Sequence, residues 1–176
     1  MKRSCVQDRV TGVPGVAIAR GVRLREGASA FMVGLQFLSR VRAEVAWRAP
    51  EALRGRLGTL DPALVAGMVI GEVAAAISYP SGLHPWPRQV AANIVAASRF
   101  VVEEHHGDAR RLWRGLDSAD SLVAQLLLVP GIGKHKATVG AFLLIAEGGV
   151  RVANAFDLSE LGKCCPKLLA SYFFDS

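Results

Sequence analysis

The residues best suited to chemistry lie at a predicted helix–turn–helix corner. Pro130 ends an apolar helix because proline lacks the N–H that a further turn needs. Gly131 and Gly133 permit backbone angles and close approaches that a side chain would block. The next helix begins with N–H groups that have no helical acceptor, at the positive end of its dipole. This combination predicts a phosphate-binding corner, and Lys134 and Lys136 add positive charge to it.

Two other residues of the corner have more modest predicted roles. Ile132 is expected to plug between the two helices. His135, between the two lysines, is expected either to face solvent or to add a phosphate contact. The alternative for the whole segment is an ordinary corner in which glycine and proline only make the turn.

The segments on both sides of this corner, and most of the remaining chain, are predicted to be helices. Apolar residues make up 51% of the chain and aromatic residues only 7%, and its Ala and Leu residues favour helices over a β-sandwich. Helical periodicity begins near residue 27, and Pro50 is predicted to divide this first stretch into two helices. Further helices are predicted after caps at Asp61, Asp108, Ser118 or Asp120, and Asp157, over residues 88–106, and from the hairpin to about residue 146.

The domain organisation follows from this periodicity. Residues 1–25 show no clear period and are predicted to be a loosely ordered N-terminal extension. Residues 26–176 are predicted to form one all-α domain, with the hairpin at residues 121–146.

Charge and cysteine content narrow the classes of function. The chain has 21 Lys and Arg against 15 Asp and Glu, a formal charge of +6, which suits a nucleic acid or an anionic membrane surface. The longest apolar stretch, residues 64–77, contains Glu72 and is too short to span a membrane. Three cysteines provide neither a disulfide framework nor a zinc site. Residues 1–22 lack the apolar core of a signal peptide, so a cytoplasmic protein is expected.

The sequence around the corner resembles the HhH-GPD superfamily, the helix-hairpin-helix base-excision DNA glycosylases that include endonuclease III and the adenine and 8-oxoguanine glycosylases. The hairpin is the most specific part, and the resemblance covers roughly residues 28–150. Support comes from the opening helices between Phe31 and Leu57, which are similar to those of a bacterial branch. It also comes from a long helix that ends in Glu103-Glu104-His105-His106-Gly107-Asp108 and is followed by Arg111-Leu112-Trp113.

The resemblance implies a two-lobed helical fold that binds duplex DNA as a monomer and flips a damaged base into a pocket between the lobes. The residues from Pro130 to Lys136 would contact the DNA backbone, and many relatives hold a monovalent cation at the hairpin backbone. Arg40 stands where relatives often place a Gln that enters the base stack. It is expected to probe the minor groove or to contact a phosphate. The implied activity is cleavage of an N-glycosidic bond with the help of an Asp, whose charge stabilises the electron-poor sugar.

The chain departs from the family mainly in its chemistry. Bifunctional relatives carry a Lys where this chain has His135, so a monofunctional glycosylase is expected. The catalytic Asp should lie near residues 152–154, where the chain has Asn154, which would indicate a weakened or inactive enzyme. The nearest carboxylate is Asp157, which is expected either to be catalytic or to cap a short helix that begins at Leu158. Glu147 is a more remote candidate.

No iron–sulfur cluster or other cofactor is expected, because Cys164 and Cys165 alone cannot hold a cluster. Residues 163–176 depart from the family, which predicts a truncated C-terminus.

Three functions therefore remain open from the sequence. The first is a monofunctional DNA glycosylase, and the second is a catalytically inactive helix-hairpin-helix protein that binds DNA. The third is a helical interaction domain in which the hairpin is only a turn.

Trp86, which lies between two prolines, is either a core residue or part of a pocket wall.

Overall fold

A computed structural model describes residue 13 and residues 15–173. Within these residues it contains ten α-helices and one 3₁₀ helix and has no strand, so the predicted all-α class is confirmed. The helices are α1 Val16–Arg20, α2 Arg25–Phe37, α3 Ala43–Leu57, α4 Pro62–Val65, α5 Ile70–Ser78, α6 Pro87–His105, α7 Ala119–Leu127, α8 Lys134–Ala146, α9 Leu158–Cys164 and α10 Pro166–Phe173, with the 3₁₀ helix Ala109–Leu112 between α6 and α7.

Short polar residues start several of these helices where the sequence predicts them. Asp61 Oδ1 accepts a hydrogen bond from the Ala63 N–H at 2.9 Å, with Pro62 as the first helical residue. Ser118 Oγ accepts the Ser121 N–H at 3.0 Å and caps α7. Each cap gives an acceptor to an N–H that the helix itself cannot satisfy.

The predicted break at Pro50 is wrong. Pro50 lies inside the continuous helix α3, and the chain instead turns between Phe37 and Ala43. Pro50 is buried and packs near Gly34 of α2. This packing of α3 on α2 offsets the hydrogen bond that a proline cannot donate.

The N-terminal prediction also differs from the structure, over residues 15–25. These residues form α1 and the turn before α2, and Val16, Ala19 and Val22 are buried in the core. Val16 and Ala19 lie on a five-residue helix and Val22 lies in the turn after it, which is too short a pattern to detect as a period. The rest of the predicted extension, residues 1–12 and 14, lies outside the described residues.

The core has two parts that meet at α2. Phe31 and Leu35 belong to a cluster with α7, α8 and α9, whereas Val33 and Phe37 belong to a cluster with α3, α5 and α6. Because α2 is apolar on both sides, all seven residues from Phe31 to Phe37 are buried. The C-terminal end of α2 therefore lies between the two parts of the core, next to the hairpin. Among the described residues, no helix is both long and apolar enough to cross a membrane.

Candidate nucleic-acid interface

The predicted corner is a tight turn between α7 and α8. The helix α7 ends at Leu127, and α8 begins at Lys134. The Ile132 N–H donates to the Val129 carbonyl at 3.1 Å, and both side chains are buried between the helices. The apolar side of the turn is therefore anchored in the core, as predicted for Ile132.

Gly131 has a conformation and surroundings that only glycine fits. Its φ is +80°, in the left-handed region. A β-carbon here would lie 2.6 Å from Cγ of Asn93 on α6 and would also overlap the Gln36 side chain on α2. Gly131 thus lets α2 and α6 reach the hairpin backbone.

Two side chains join the hairpin to the end of α2. Gln36 is buried, and its Nε2 donates to the Pro130 carbonyl at 2.9 Å. Lys136 Nζ donates to the Gln36 carbonyl and to the Gly131 carbonyl, at 3.0 Å each. Burial of this half-buried ammonium lowers the pKa of Lys136. Lys136, predicted as a phosphate contact, therefore directs its charge toward the inside of the hairpin in this structure.

Gly133 presents the opposite situation, since neither its conformation nor its surroundings require glycine. Its backbone is extended, with φ −92° and ψ −179°. A β-carbon at Gly133 would meet nothing within 4 Å. The open space beside this backbone is the feature that a close approach by another molecule would use.

The first N–H groups of α8 face this open side. No side chain caps the helix, and its first backbone bond runs from the Ala137 N–H to the Gly133 carbonyl at 3.0 Å. In the described part of the chain, the N–H groups of Lys134, His135 and Lys136 have no acceptor. Unsatisfied amides at a helix N-terminus are suited to binding an anion.

Lys134 and His135 are both exposed beside these amides. Lys134 forms an ion pair with Glu160 of α9 at 2.9 Å, and Glu160 also pairs with Lys163 at 2.8 Å. Hydrogen bonds from Lys163 and Lys134 lower the pKa of Glu160 to about 2. The carboxylate of Glu160 thus partly offsets the positive charge of the hairpin.

The outer side of the hairpin forms one wall of a cleft of about 920 Å³, here called the hairpin cleft. The loop between α2 and α3 forms the facing wall, and α10 closes one end. Glu44 is the one carboxylate among the described residues that line it. The basic and imidazole side chains of the lining are those of Arg40, Arg42, Lys134, His135, Lys136 and Lys167.

Arg40 lies on the facing wall and stacks on an exposed aromatic ring. Its guanidinium carbon is 5.1 Å from the ring centroid of Trp86. Buried His84 holds the two loops together, because its Nε2 pairs with the Ser39 carbonyl at 2.6 Å and its Nδ1 accepts the Trp86 N–H at 3.0 Å. The structure thus places an exposed Arg–Trp pair at the rim of the hairpin cleft.

The two candidate catalytic residues near the C-terminus both cap helices. The side-chain oxygen of Asn154 accepts the Ala119 N–H at 2.9 Å, at the start of α7. Asp157 caps α9 by accepting the Ser159 N–H at 2.8 Å, and these hydrogen bonds lower the pKa of its carboxyl. Neither residue lines the hairpin cleft. Glu147 is engaged elsewhere, with Arg20 at 2.7 Å and Tyr172 at 3.0 Å.

The hairpin carbonyls do not fit a monovalent cation well. Those of Val129, Pro130 and Gly131 each accept a hydrogen bond from the protein itself. A cation would need a set of free oxygen ligands, which these three carbonyls do not provide. No cluster of three or more His, Cys, Asp or Glu side chains suited to a metal ion occurs in the described residues.

Three residues of this region are not identified by the sequence patterns, namely Gln36, Asn93 and Glu44. Gln36 does leave a trace, as a polar residue within the apolar run of α2. The other two become important only through contacts between distant elements.

Comparison with known proteins gives no independent identification. The chain matches no known family model, and no curated protein shows significant sequence similarity to it.

Proposed function

We propose that this chain binds duplex DNA through the outer side of its hairpin. The observation that carries the proposal is the open backbone at Gly133, which lies beside the free N–H groups of α8 on the wall of a basic cleft. Backbone amides and the exposed Lys134 at this corner suit phosphate oxygens, which fix a protein on DNA without reading its sequence. The Arg40–Trp86 pair on the opposite rim provides a flat, cationic surface for a second contact with the same strand.

The test is duplex affinity over a salt series, measured by fluorescence anisotropy. Affinity should fall linearly with the logarithm of salt concentration, because each phosphate contact releases counterions. Gly133→Glu should reduce affinity at least tenfold, because its carboxylate would occupy the space that a phosphate needs.

Gly55→Glu is the matched control, since Gly55 also lies in open space and the charge change is the same. Equal affinities of the two variants, or binding that is independent of salt, would reject the proposal.

The hairpin cleft supports a further step, removal of a damaged base by N-glycosidic cleavage. A cleft of about 920 Å³ can accommodate an extruded nucleotide. Glu44 is the carboxylate that lines it. This supports the monofunctional glycosylase expected from the resemblance, with a different carboxylate in the cleft.

The rival is a DNA-binding protein without catalysis. Its support is that Asn154 and Asp157 are engaged in helix caps. Oligonucleotides with uracil, alkylated or oxidised bases, treated with alkali after incubation, separate the two functions. Glycosylase activity should be lost in Glu44→Gln and retained in Asp157→Asn. Absence of base release on every lesion, with DNA binding intact, would support the rival.

A further inference from the structure

A second cleft lies at the end of α8 opposite the hairpin. It measures about 510 Å³ and is here called the arginine cleft. Three segments of the chain supply its arginines: Arg23 precedes α2, Arg110 and Arg114 lie in and after the 3₁₀ helix, and Arg151 follows α8. No Asp or Glu side chain lines it within the part of the chain that the structure describes.

Two of these arginines are held in place by neighbouring groups. Arg110 binds both carboxylate oxygens of Asp108, at 2.9 Å from Nε and 2.7 Å from Nη2, which balances its charge. Its Nη1 donates to the Arg23 carbonyl at 3.2 Å. The Arg23 guanidinium lies against Gly149, where a β-carbon would overlap it. The cleft therefore has an ordered base.

The other charges of the cleft are not balanced by the protein. Arg23, Arg114 and Arg151 have no carboxylate within ion-pair distance among the described residues. Guanidinium groups bind phosphate oxygens with paired hydrogen bonds, which makes phosphate the fitting ligand chemistry.

The rest of the lining favours a phosphodiester backbone over bases. Trp113 is buried, and no lining residue is an exposed aromatic or large aliphatic side chain. Unpaired bases would need such a stacking surface, whereas the backbone of a duplex needs only charge and hydrogen-bond donors.

We propose that the arginine cleft is a separate binding site for the backbone of duplex DNA. The 13 residues of α8 separate it from the hairpin, a length of about 20 Å at the α-helical rise per residue. The two ends of one helix thus carry separate candidate sites. This inference does not depend on DNA binding by the hairpin.

The experiment measures duplex binding in the Gly133→Glu background, where the hairpin contact is blocked. Arg114→Ser with Arg151→Ser should reduce the residual affinity at least tenfold. The matched control is Arg48→Ser with Arg88→Ser, which removes two exposed arginines that line neither cleft. Both double variants should have the same melting temperature. Equal residual affinities in the two double variants would overturn the inference.

Two further measurements separate the possible sources of phosphate and the two proposals. Tripolyphosphate is added alone in a thermal-shift assay. If Arg114→Ser with Arg151→Ser abolishes its effect but leaves duplex binding unchanged, the ligand is a free oligophosphate and the DNA inference is overturned. If Gly133→Glu leaves wild-type affinity intact while the arginine-cleft variant loses it, the inference is supported and the hairpin proposal fails.

Discussion

The inner and outer sides of the hairpin differ sharply in their contacts. On the inner side, a β-carbon at Gly131 would overlap Gln36 and Asn93, and the Pro130 and Gly131 carbonyls accept hydrogen bonds from Gln36 and Lys136. On the outer side, Gly133 faces open space and the α8 amides have no acceptor in the described residues. The inner glycine is explained by packing within the protein. The outer glycine has no such explanation, and the open space beside it is available to a ligand.

Substitution of each glycine by alanine should give the largest difference in stability between the two sides of the hairpin. Gly131→Ala should lower the free energy of unfolding by about 2–4 kcal/mol, because the residue has a positive φ and no space for a methyl group. Gly133→Ala should change it by less than about 1 kcal/mol, because an extended residue in open space tolerates a side chain. Urea denaturation measures both values.

Duplex binding supplies the second half of this test. Gly133→Ala should weaken binding roughly tenfold, equivalent to about 1.4 kcal/mol, despite its near-normal stability. Similar losses of stability in the two variants would show that the two sides of the hairpin are equally packed.

Substitution of Lys136 and Lys134 should also distinguish the inner side from the outer side, with effects of intermediate size on stability and on DNA binding. Lys136→Met should cost about 1–3 kcal/mol of stability, because the Gln36 and Gly131 carbonyls lose their shared donor. Its DNA affinity should keep the wild-type salt dependence. Lys134→Met should cost less than about 1 kcal/mol, because its ion pair is exposed, but should reduce the salt slope by about one.

Thermal unfolding and salt-dependent anisotropy measure these two effects. A reduced salt slope in Lys136→Met would mean that its ammonium contacts phosphate after all, as the sequence alone suggests.

The sequence predicts the local parts of this region well and the distant contacts poorly. Pro130, Gly131 and the start of α8 follow from residue types within a few positions of one another. Gln36 meets Pro130 across 94 residues, and Asn154 meets Ala119 across 35. No periodic pattern encodes such pairs, because they depend on how whole helices pack.

At Pro50 the sequence makes a wrong prediction for a different reason. The local rule that proline ends a helix is overridden there by packing between helices. Proline disfavours a helix interior, yet α3 continues through this position because its buried face packs on α2. Such exceptions arise where tertiary contacts contribute more than the lost hydrogen bond.

Substitution of Glu160 should have the smallest effect of these changes, and it should alter only DNA binding at the outer side of the hairpin. Glu160→Gln should strengthen duplex binding about two- to fivefold, because it frees Lys134 and removes a negative charge beside the hairpin. Since the pKa of Glu160 is about 2, its carboxylate stays ionised above that pH, and the gain should be constant between about pH 5 and 8.

Glu103→Gln is the control, because this exposed residue of α6 forms no ion pair within the described residues. An equal gain in this control would indicate only a general charge effect.

The three tryptophans differ in exposure, so the intrinsic fluorescence of the protein can report on one of them. Trp86 is 49% exposed, whereas Trp47 and Trp113 are only 9% and 5% exposed. Collisional quenchers such as acrylamide should therefore quench mainly the fluorescence of Trp86. A nucleobase stacked on that indole would shield it, so occupancy of the rim can be followed in solution without any attached dye.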